Sequence, residues 1–204
     1  MSGYFITFEG GEGVGKTTQL KLVADELRKK GYDVIATREP GGTILGEKIR
    51  EILLKGDVDK MTPMTEALLF TAVRADHVEK VIKPAVNNGK IVLCDRYVDT
   101  TFAYQGYAHG LGIQKMMDLY SLAIGNFKPD LTVIFDIDPK KSHGNLTEMN
   151  RFENMGNEWL SKGLQGFREC AKFDKKRCVL MDSVGEIPEI TNRIMKIINE
   201  KLGL

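Results

Sequence analysis

The fold of this chain is decided by the stretch Gly10-Gly11-Glu12-Gly13-Val14-Gly15-Lys16-Thr17. The run before it, residues 4–8, is apolar and rich in β-formers, as in a buried strand. After it, apolar residues from Leu20 to Leu27 recur at helical spacing. The order strand, glycine-rich turn and helix is therefore predicted for the first 30 residues.

The spacing of the glycines, the lysine and the threonine matches the pattern G-x-x-x-x-G-K-[ST] of a phosphate-binding loop. Glycines let successive backbone N–H groups turn towards an anion, and the following helix points its N-terminus at the same anion. Lys16 supplies charge for the β- and γ-phosphates, and the Thr17 hydroxyl can ligate Mg²⁺. The alternative is a flexible glycine loop with a surface lysine. We expect ATP to contact Gly10, Gly11, Glu12, Gly13, Val14, Gly15, Lys16, Thr17 and Thr18.

Composition restricts the classes of function. The chain has 204 residues and a formal net charge of +1, so no broad basic field predicts nucleic acid or anionic lipid as a partner. Three scattered cysteines, Cys94, Cys170 and Cys178, fit a reducing cytoplasm better than a disulfide framework or a zinc site. No secretion signal and no apolar run of membrane-spanning length are found, and a cytoplasmic protein is expected.

Strands and helices alternate along the chain, which predicts an α/β fold with a doubly wound, five-stranded parallel sheet flanked by helices. We expect a single domain over residues 1–204. The predicted strands are residues 4–8, 34–37, 91–94, 131–135 and 179–181. The first predicted helix follows the phosphate loop and ends at about residue 30. Further helices are predicted over residues 44–55, 64–88 (with Pro84 breaking the last turns), 151–173 and 187–202, and a loop with short helices over 97–125.

Ligands of open α/β sheets bind at the carboxyl ends of the strands, where charged residues follow three of the predicted strands. These are Arg38 and Glu39, Asp95 and Arg96, and Asp136 and Asp138. An aspartate in the place of Asp95 is expected on the magnesium side of a phosphate loop, although it also fits a helix N-cap. Arg96 in the same cleft suggests a second anion.

Two further groups suit a nucleotide. Phe70 and Arg74 are four residues apart on one predicted helix, so they share a face that could stack a base and bond its edge. Spacing alone favours the other interpretation, a core phenylalanine and a solvated arginine. The segment 100–106, with hydroxyl, aromatic and amide side chains, suits recognition of a base and sugar but equally suits an ordinary helix start.

The sequence resembles the bacterial thymidylate kinases from end to end. The resemblance rests on residues 8–18, on Thr37-Arg38-Glu39-Pro40-Gly41-Gly42-Thr43, on Leu69-Phe70 with Arg74, on Asp95-Arg96-Tyr97, on Ala103-Tyr104-Gln105-Gly106, on Pro129-Asp130-Leu131-Thr132 and on Asn150-Arg151-Phe152-Glu153. The resemblance implies a P-loop kinase fold, the reaction of ATP with dTMP to give ADP and dTDP, Mg²⁺ as cofactor, and a homodimer. Nucleic acid and membranes are not expected as partners.

The resemblance also implies roles for single residues. Glu12 would meet the sugar 3′-hydroxyl of dTMP, Phe70 would stack on thymine, and Arg74 would bond the edge of the base. Tyr104 would crowd the 2′ position, and Thr101 and Gln105 would face the base. The full set assigned to dTMP is Glu12, Glu39, Arg50, Phe70, Arg74, Arg96, Thr100, Thr101, Tyr104 and Gln105.

In the same way, Arg50 and Arg96 would hold the 5′-phosphate of dTMP. The resemblance assigns catalysis to Lys16, Asp95, Arg96 and Arg151, and metal contacts to Thr17, Glu39 and Asp95.

One segment departs from the family pattern. The lid, at about residues 137–151, has Asn145 where an arginine is expected, and Gly144 weakens its helix. Arg151 keeps its place, and an arginine at the transition state can be worth several powers of ten in rate. Lys140, Lys141 or His143 could partly compensate.

Three alternatives stay open at the level of the sequence. The chain could phosphorylate another nucleoside monophosphate or a deoxynucleoside, although the second arginine site favours a monophosphate. It could be a nucleotide-dependent switch, although the guanine-reading pattern Asn-Lys-x-Asp is absent. It could also be a catalytically weak homologue that binds thymidylate and ATP.

Overall fold

The five strands form one parallel sheet in the order β2-β3-β1-β4-β5, which confirms the predicted fold class. The computed structural model describes residues 3–137 and 151–204. Its strands are β1 (Tyr4–Gly10), β2 (Val34–Arg38), β3 (Ile91–Asp95), β4 (Leu131–Asp136) and β5 (Cys178–Asp182). Each contains the strand predicted from the sequence.

Helices cover both faces of this sheet. They are α1 (Lys16–Lys29), α2 (Ile44–Leu54), α3 (Pro63–His77), α4 (Lys83–Asn87), α5 (Val98–Thr101), α6 (Ile113–Ile124), α7 (Asn157–Phe173) and α8 (Ile187–Leu202). Two π-helical segments, Val78–Ile82 and Phe102–Ala108, and a short 3₁₀ turn, Glu153–Met155, complete the described elements. Within the described ranges, no helix is long and apolar enough to cross a membrane.

The predicted helical stretch over residues 64–88 is confirmed, because residues 63–87 are helical throughout, but Pro84 does not break its last turns. A π-helical turn separates α3 from α4, and Pro84 lies in the first turn of α4. Proline lacks an N–H and its ring clashes with the carbonyl one turn earlier, so an α-helix cannot run through it undisturbed. The wider turn, closed by the N–H of Lys83 on the carbonyl of Val78, accommodates the ring and lets the chain continue.

The side chains on the two faces of β1 pack into different hydrophobic cores. Ile6 and Phe8 pack in the layer formed with α1 and α8, whereas Phe5 packs in the layer formed with α3, α4 and α6. Successive side chains of a strand point to opposite faces, so both layers follow from this alternation. A strand that is apolar on both faces belongs in the middle of a parallel sheet, and β1 lies between β3 and β4.

The central position of β1 places the phosphate loop among the ends of its neighbours. Phe8 is in register with Asp95 of β3, and Arg38 of β2 is in register with the same aspartate. Gly10 is in register with Phe135 of β4. The strand order reverses its direction of winding at β1, and a crevice at such a point is where open α/β sheets bind ligands.

Candidate active site

The phosphate loop forms the predicted turn between β1 and α1. Gly15 has φ 87° and precedes the first helical residue without a side-chain cap, so the first N–H groups of α1 stay free for an anion. Gly10 has φ 133°, and a Cβ there would lie 2.6 Å from the carbonyl oxygen of Phe135. Lys16 is buried, and its Nζ donates to the carbonyl oxygen of Gly11 at 2.5 Å. Burial, with the nearby charge of Arg96, lowers the pKa of Lys16 to about 8.

Thr17 and Asp95 meet beside this loop. The hydroxyl of Thr17 donates a hydrogen bond to Oδ2 of Asp95 at 2.5 Å, and both residues line the same cleft. Mg²⁺ at phosphate sites usually takes one or two carboxylates together with phosphate oxygens and water. One hydroxyl and one carboxylate in contact fit that requirement. Within residues 3–137 and 151–204, no group of three or more His, Cys, Asp or Glu side chains could hold a metal by protein ligands alone.

Arg96 has a fixed place beside the loop. Among the non-glycine residues that the structure describes, Arg96 alone has a left-handed backbone, with a φ of 68°. This conformation costs energy for an L-residue. Nη1 donates to the carbonyl of Gly10 at 2.8 Å and to Oγ1 of Thr100 at 3.1 Å, and Nη2 donates to Oε1 of Glu12 at 2.7 Å. The strained backbone and these contacts direct the guanidinium into the cleft.

Glu9 supports the same turn and had no role in the sequence analysis, although it is part of the Phe8-Glu9-Gly10 motif. Its carboxylate accepts from the backbone N–H of Tyr97 at 2.7 Å and from the hydroxyl of Thr100 at 2.6 Å. Burial, reinforced by the charge of Asp99, raises the pKa of Glu9 to about 7. A buried acidic residue at the end of a strand could have been recognised as a partner for buried N–H groups.

The far end of the cleft is aromatic. Phe70, Tyr104 and Phe152 line what we call the aromatic end, with Gln105 beside them. The rings of Phe70 and Phe152 lie 5.9 Å apart, and Tyr104 stacks on Trp159 at 4.7 Å with the planes nearly parallel. Flat apolar surfaces with one amide between them suit a planar heterocycle with a polar edge.

One cleft, of about 770 Å³, joins these features. The predicted site residues that line it are Glu12, Gly13, Val14, Gly15, Lys16, Thr17, Thr18, Glu39, Arg50, Phe70, Asp95, Arg96, Thr100, Tyr104 and Gln105. Leu54 and Phe152 also line it and were not predicted as site residues. Gly10, Gly11, Arg74, Thr101 and Arg151 do not line it. The structure therefore brings together most of the residues collected from the sequence.

Comparisons with known proteins agree with this geometry. A family model described as "Thymidylate kinase" matches residues 8–194. This chain belongs to the thymidylate kinase family. It is 43% identical over 198 residues to a thymidylate kinase of Synechococcus sp. (strain JA-3-3Ab), covering 97% of this chain and 96% of the relative. It is 42% identical over 207 residues to a thymidylate kinase of Bacillus licheniformis, covering 99% and 98%.

A solved structure is similar over nearly the whole length. The crystal structure of a thymidylate kinase from Ehrlichia chaffeensis superposes with a TM-score of 0.79 at 35% sequence identity, covering 97% of this chain and 99% of the other. The P-loop kinase fold is therefore shown, and the interpretation as a nucleotide-dependent switch is not favoured.

Arg74 is placed differently from the role that the thymidylate kinase resemblance implied. Its Nε donates to Oε2 of Glu39 at 2.8 Å, and its Nη2 donates to the carbonyl of Tyr97 at 3.0 Å. The other carboxylate oxygen of Glu39 lies 3.1 Å from Nδ1 of His77. Glu39, expected at the metal, is thus engaged by two buried side chains, and Arg74 is turned towards it. A buried guanidinium must find acceptors, which this carboxylate and carbonyl provide.

Arg151, expected to carry transition-state charge in this family, is buried and does not line the cleft. Its Nε donates to the carbonyl of Leu53 at 2.9 Å, its Nη1 donates to the carbonyl of Val58 at 3.1 Å, and its Nη2 pairs with Glu66. Only 2% of Arg151 is exposed. The structure therefore gives Arg151 a buried position that joins the end of α2 and the segment after it to Glu66.

The other residues to which the sequence analysis gave a role in or near the lid precede Arg151. The residues that lie outside the described ranges are Asp138, Lys140, Lys141, His143, Gly144 and Asn145.

Asp136, predicted at the ligand edge because it follows β4, forms an ion pair with Arg168, whose Nη2 lies 2.9 Å from Oδ1 of the aspartate. Two acceptor-side predictions remain near the cleft: Arg50 lines it and donates to the carbonyl of Pro40 at 2.7 Å, and Thr101 is buried just behind it.

Proposed function

We propose that this chain transfers the γ-phosphoryl group of ATP to dTMP, giving ADP and dTDP. The observation that carries the proposal is the single cleft that joins a phosphate loop to the Arg96 guanidinium and to the aromatic end. Membership of the thymidylate kinase family supports the choice of dTMP over other monophosphates. The acceptor is already a phosphate oxyanion, so the reaction needs positioning and charge stabilisation more than a strong base.

The two ends of the cleft have separate tasks in this proposal. Lys16 and the free N–H groups of α1 hold the β- and γ-phosphates of ATP. Arg96 and Arg50 hold the phosphate of dTMP, so that an acceptor oxygen faces the γ-phosphorus. Phe70 stacks on the base. Burial lowers the pKa of Arg50, with Arg38 adding like charge, and an arriving phosphate relieves that repulsion.

Mg²⁺ is proposed as the cofactor. Thr17 and Asp95, already in contact at 2.5 Å, are the residues that would hold it. When bound, the ion would neutralise charge that develops on the phosphate oxygens. Asp95 would accept no proton in this scheme, and Thr17 would turn its hydroxyl hydrogen away to free its lone pairs.

A homodimer is proposed from exposed apolar side chains on three helices that pack one on the next. Helix α2 packs on α3, and α3 packs on α6. Exposed apolar side chains on them are Ile44, Leu45, Ile52, Leu68 and Leu122. Ile44 is 84% exposed and Leu122 is 86% exposed. Large apolar side chains exposed on neighbouring helices favour an interaction site, and a second copy is the simplest partner. We also propose that the protein is a single domain and that it lies in the cytoplasm, where both substrates occur.

The decisive experiment is a coupled ADP-release assay with ATP, Mg²⁺ and a panel of acceptors: dTMP, dUMP, dCMP, UMP, AMP, GMP, CMP and thymidine. We expect the highest kcat/KM with dTMP. Lys16→Ala should lower turnover by about 10²-fold or more with the fold intact, because the charge at the β- and γ-phosphates is lost.

Three results would contradict the proposed reaction, and a fourth would contradict the proposed dimer. A clear preference for AMP, GMP or CMP would assign another monophosphate, and a preference for thymidine would assign a nucleoside kinase. Tight binding of dTMP and ATP without turnover would indicate a binding homologue with an inactive lid. A monomer at micromolar concentration in a light-scattering measurement would reject the dimer while leaving the reaction intact.

A further inference from the structure

Glu66, on α3, is a fully buried carboxylate for which neither the sequence pattern nor the proposed reaction gives a role. Its two carboxylate oxygens contact different residues. Oε1 accepts a hydrogen bond from Nε2 of Gln105 at 2.6 Å, and Oε2 pairs with Arg151. His109 adds a third neighbour, with its Nε2 3.5 Å from Oε1. A buried charge with this many partners is held in one geometry.

The contact between Glu66 and Gln105 fixes which way the Gln105 amide faces. A carboxylate only accepts hydrogen bonds, whereas an amide has one end that donates and one that accepts. The donating NH₂ must therefore face Glu66, because the flipped amide would bring two oxygens within 2.6 Å of each other. The orientation thus follows from chemistry.

The carbonyl oxygen of the same amide remains available to accept a hydrogen bond. Oε1 of Gln105 is buried and has no hydrogen-bond partner among the described residues. Gln105 lines the cleft at its aromatic end, beside Phe70 and Tyr104. A buried acceptor without a partner destabilises the free site, and such an atom in a binding cleft selects a ligand that brings a donor.

We infer that Glu66 is a specificity-determining positioning residue, which holds the Gln105 amide with its oxygen presented to the base so that the site takes a pyrimidine with a donor at N3. Thymine and uracil carry N3–H, whereas N3 of cytosine is an acceptor. Cytosine would place two acceptors against each other, and it would be rejected by the orientation of one amide. The inference rests on the proposed function and adds to it the residue that orients the amide at the base.

Arg151 completes the arrangement. Burial opposes ionisation of Glu66, but the nearby His109 and the hydrogen bond and charge of Arg151 outweigh it, and the pKa of Glu66 is lowered. The carboxylate therefore stays charged and unable to donate at neutral pH. Since Arg151 also bonds the carbonyls of Leu53 and Val58, Glu66 is anchored to a segment outside its own helix. Neither carboxylate oxygen can move towards Gln105 or away from it without breaking these bonds.

The test compares kcat/KM for dTMP with kcat/KM for dCMP in one enzyme preparation. The ratio of the two is independent of the fraction of folded enzyme and of any loss in the phosphoryl-transfer step that both acceptors share. Glu66→Gln supplies a neutral side chain that can donate as well as accept, so the Gln105 amide can turn over. We expect the ratio to fall by about tenfold or more, the scale of one hydrogen bond gained or lost at a buried site.

Glu79→Gln is the matched control, because Glu79 lies exposed on the turn after α3 and undergoes the same chemical change. It should leave the ratio unchanged. Removing one member of a buried pair can unfold a protein, whereas replacing both by apolar residues is often tolerated. The double variant Glu66→Met with Arg151→Met therefore tests the same point without a stranded charge, and the ratio should fall in it as well.

Gln105→Met, with Glu66 intact, gives the third measurement. It should lower the ratio as much as the Glu66 variants do, and adding Glu66→Gln to it should lower the ratio no further. An unchanged ratio in a folded Glu66 variant, or in Gln105→Met, overturns the inference. Failure of the proposed function is distinguishable, because it would appear as wild-type enzyme that does not prefer dTMP at all.

Discussion

Arg96 and Glu12 form an ion pair inside the cleft, with Nη2 of the arginine 2.7 Å from Oε1 of the glutamate. The arginine has φ 68°, and the glutamate lies within the phosphate loop, so the pair joins the ends of β1 and β3. Burial opposes ionisation of Glu12, but the charge of Arg96 outweighs it and lowers the pKa of Glu12. The guanidinium is thereby held, before any acceptor arrives, at the place proposed for the phosphate of dTMP.

Arg96→Lys should lower kcat/KM for dTMP by about 10²-fold or more, because an ammonium cannot reproduce the planar fork that bonds Gly10, Thr100 and Glu12 while facing a phosphate. Steady-state kinetics with dTMP as the varied substrate measure the effect. Arg28→Lys, on the exposed face of α1, is the control. Activity of Arg96→Lys within about twofold of wild type would show that the fork is not needed.

The affinity for ATP should weaken as the pH rises above about 8. Burial and Arg96 lower the pKa of Lys16 to about 8 in the free enzyme, and only the protonated amine pairs with phosphate. Binding of ATP therefore takes up a proton above that pH, and the dissociation constant rises with pH. Calorimetry between pH 7 and pH 9, in buffers of different ionisation enthalpy, measures the uptake. Lys16→Met should bind weakly with no such uptake, and a flat wild-type profile would contradict the assignment.

Gly163→Ala should weaken discrimination against ribonucleotides. A Cβ at Gly163 would lie 2.2 Å from Cε1 of Tyr104 and 2.7 Å from Cδ1, so the ring must move from its stack on Trp159. If Tyr104 crowds the 2′ position, kcat/KM for dTMP relative to ribothymidine 5′-monophosphate will fall. Ser161→Ala, exposed on the same helix, serves as the control. Unchanged discrimination in folded Gly163→Ala would remove Tyr104 from sugar recognition.

The ion pair of Asp99 with Arg177 should dominate the stability of the sheet edge at β5. Nη1 and Nη2 of the arginine lie 2.7 and 2.8 Å from the two carboxylate oxygens, with both side chains largely buried. Arg177→Met leaves Asp99 unpaired and should cost about 3–5 kcal/mol in the free energy of unfolding. Urea denaturation measures it.

The exposed pair of Asp25 with Arg28 gives the matched comparison, and Arg28→Met should change the free energy of unfolding by less than about 0.5 kcal/mol. Equal costs for the two arginine variants would mean that burial does not determine the strength of these pairs.

Local features were predictable from the sequence because neighbouring residues determine them. The phosphate loop, with Gly15 and Lys16, is a turn whose glycines and lysine lie within eight residues of each other. Each predicted strand is an apolar run whose period and length suffice to recognise it. Asp95 and Arg96 could be placed at the ligand edge for the same reason, since they directly follow a strand of a parallel sheet.

The π-helical segment Phe102–Ala108 shows where local pattern fails. It contains Tyr104 and Gln105, and its sequence equally suited an ordinary helix start. A π turn forms because of the packing of its side chains, here against α7 and α6. No residue type predicts it from the local sequence. The facing of Gln105 towards Glu66 is a consequence of that packing.

By itself the sequence determined the sheet, the phosphate loop, the family and the charged residues at the strand ends, because these depend on residues close together in the chain or on end-to-end similarity. Only the tertiary structure decided where Arg74 and Arg151 are directed. A buried guanidinium must satisfy its donors, and its acceptors come from distant segments: Glu39 and Tyr97 for Arg74, and Leu53, Val58 and Glu66 for Arg151. Such pairings are set by packing across 23 to 98 residues of chain, which no local pattern encodes.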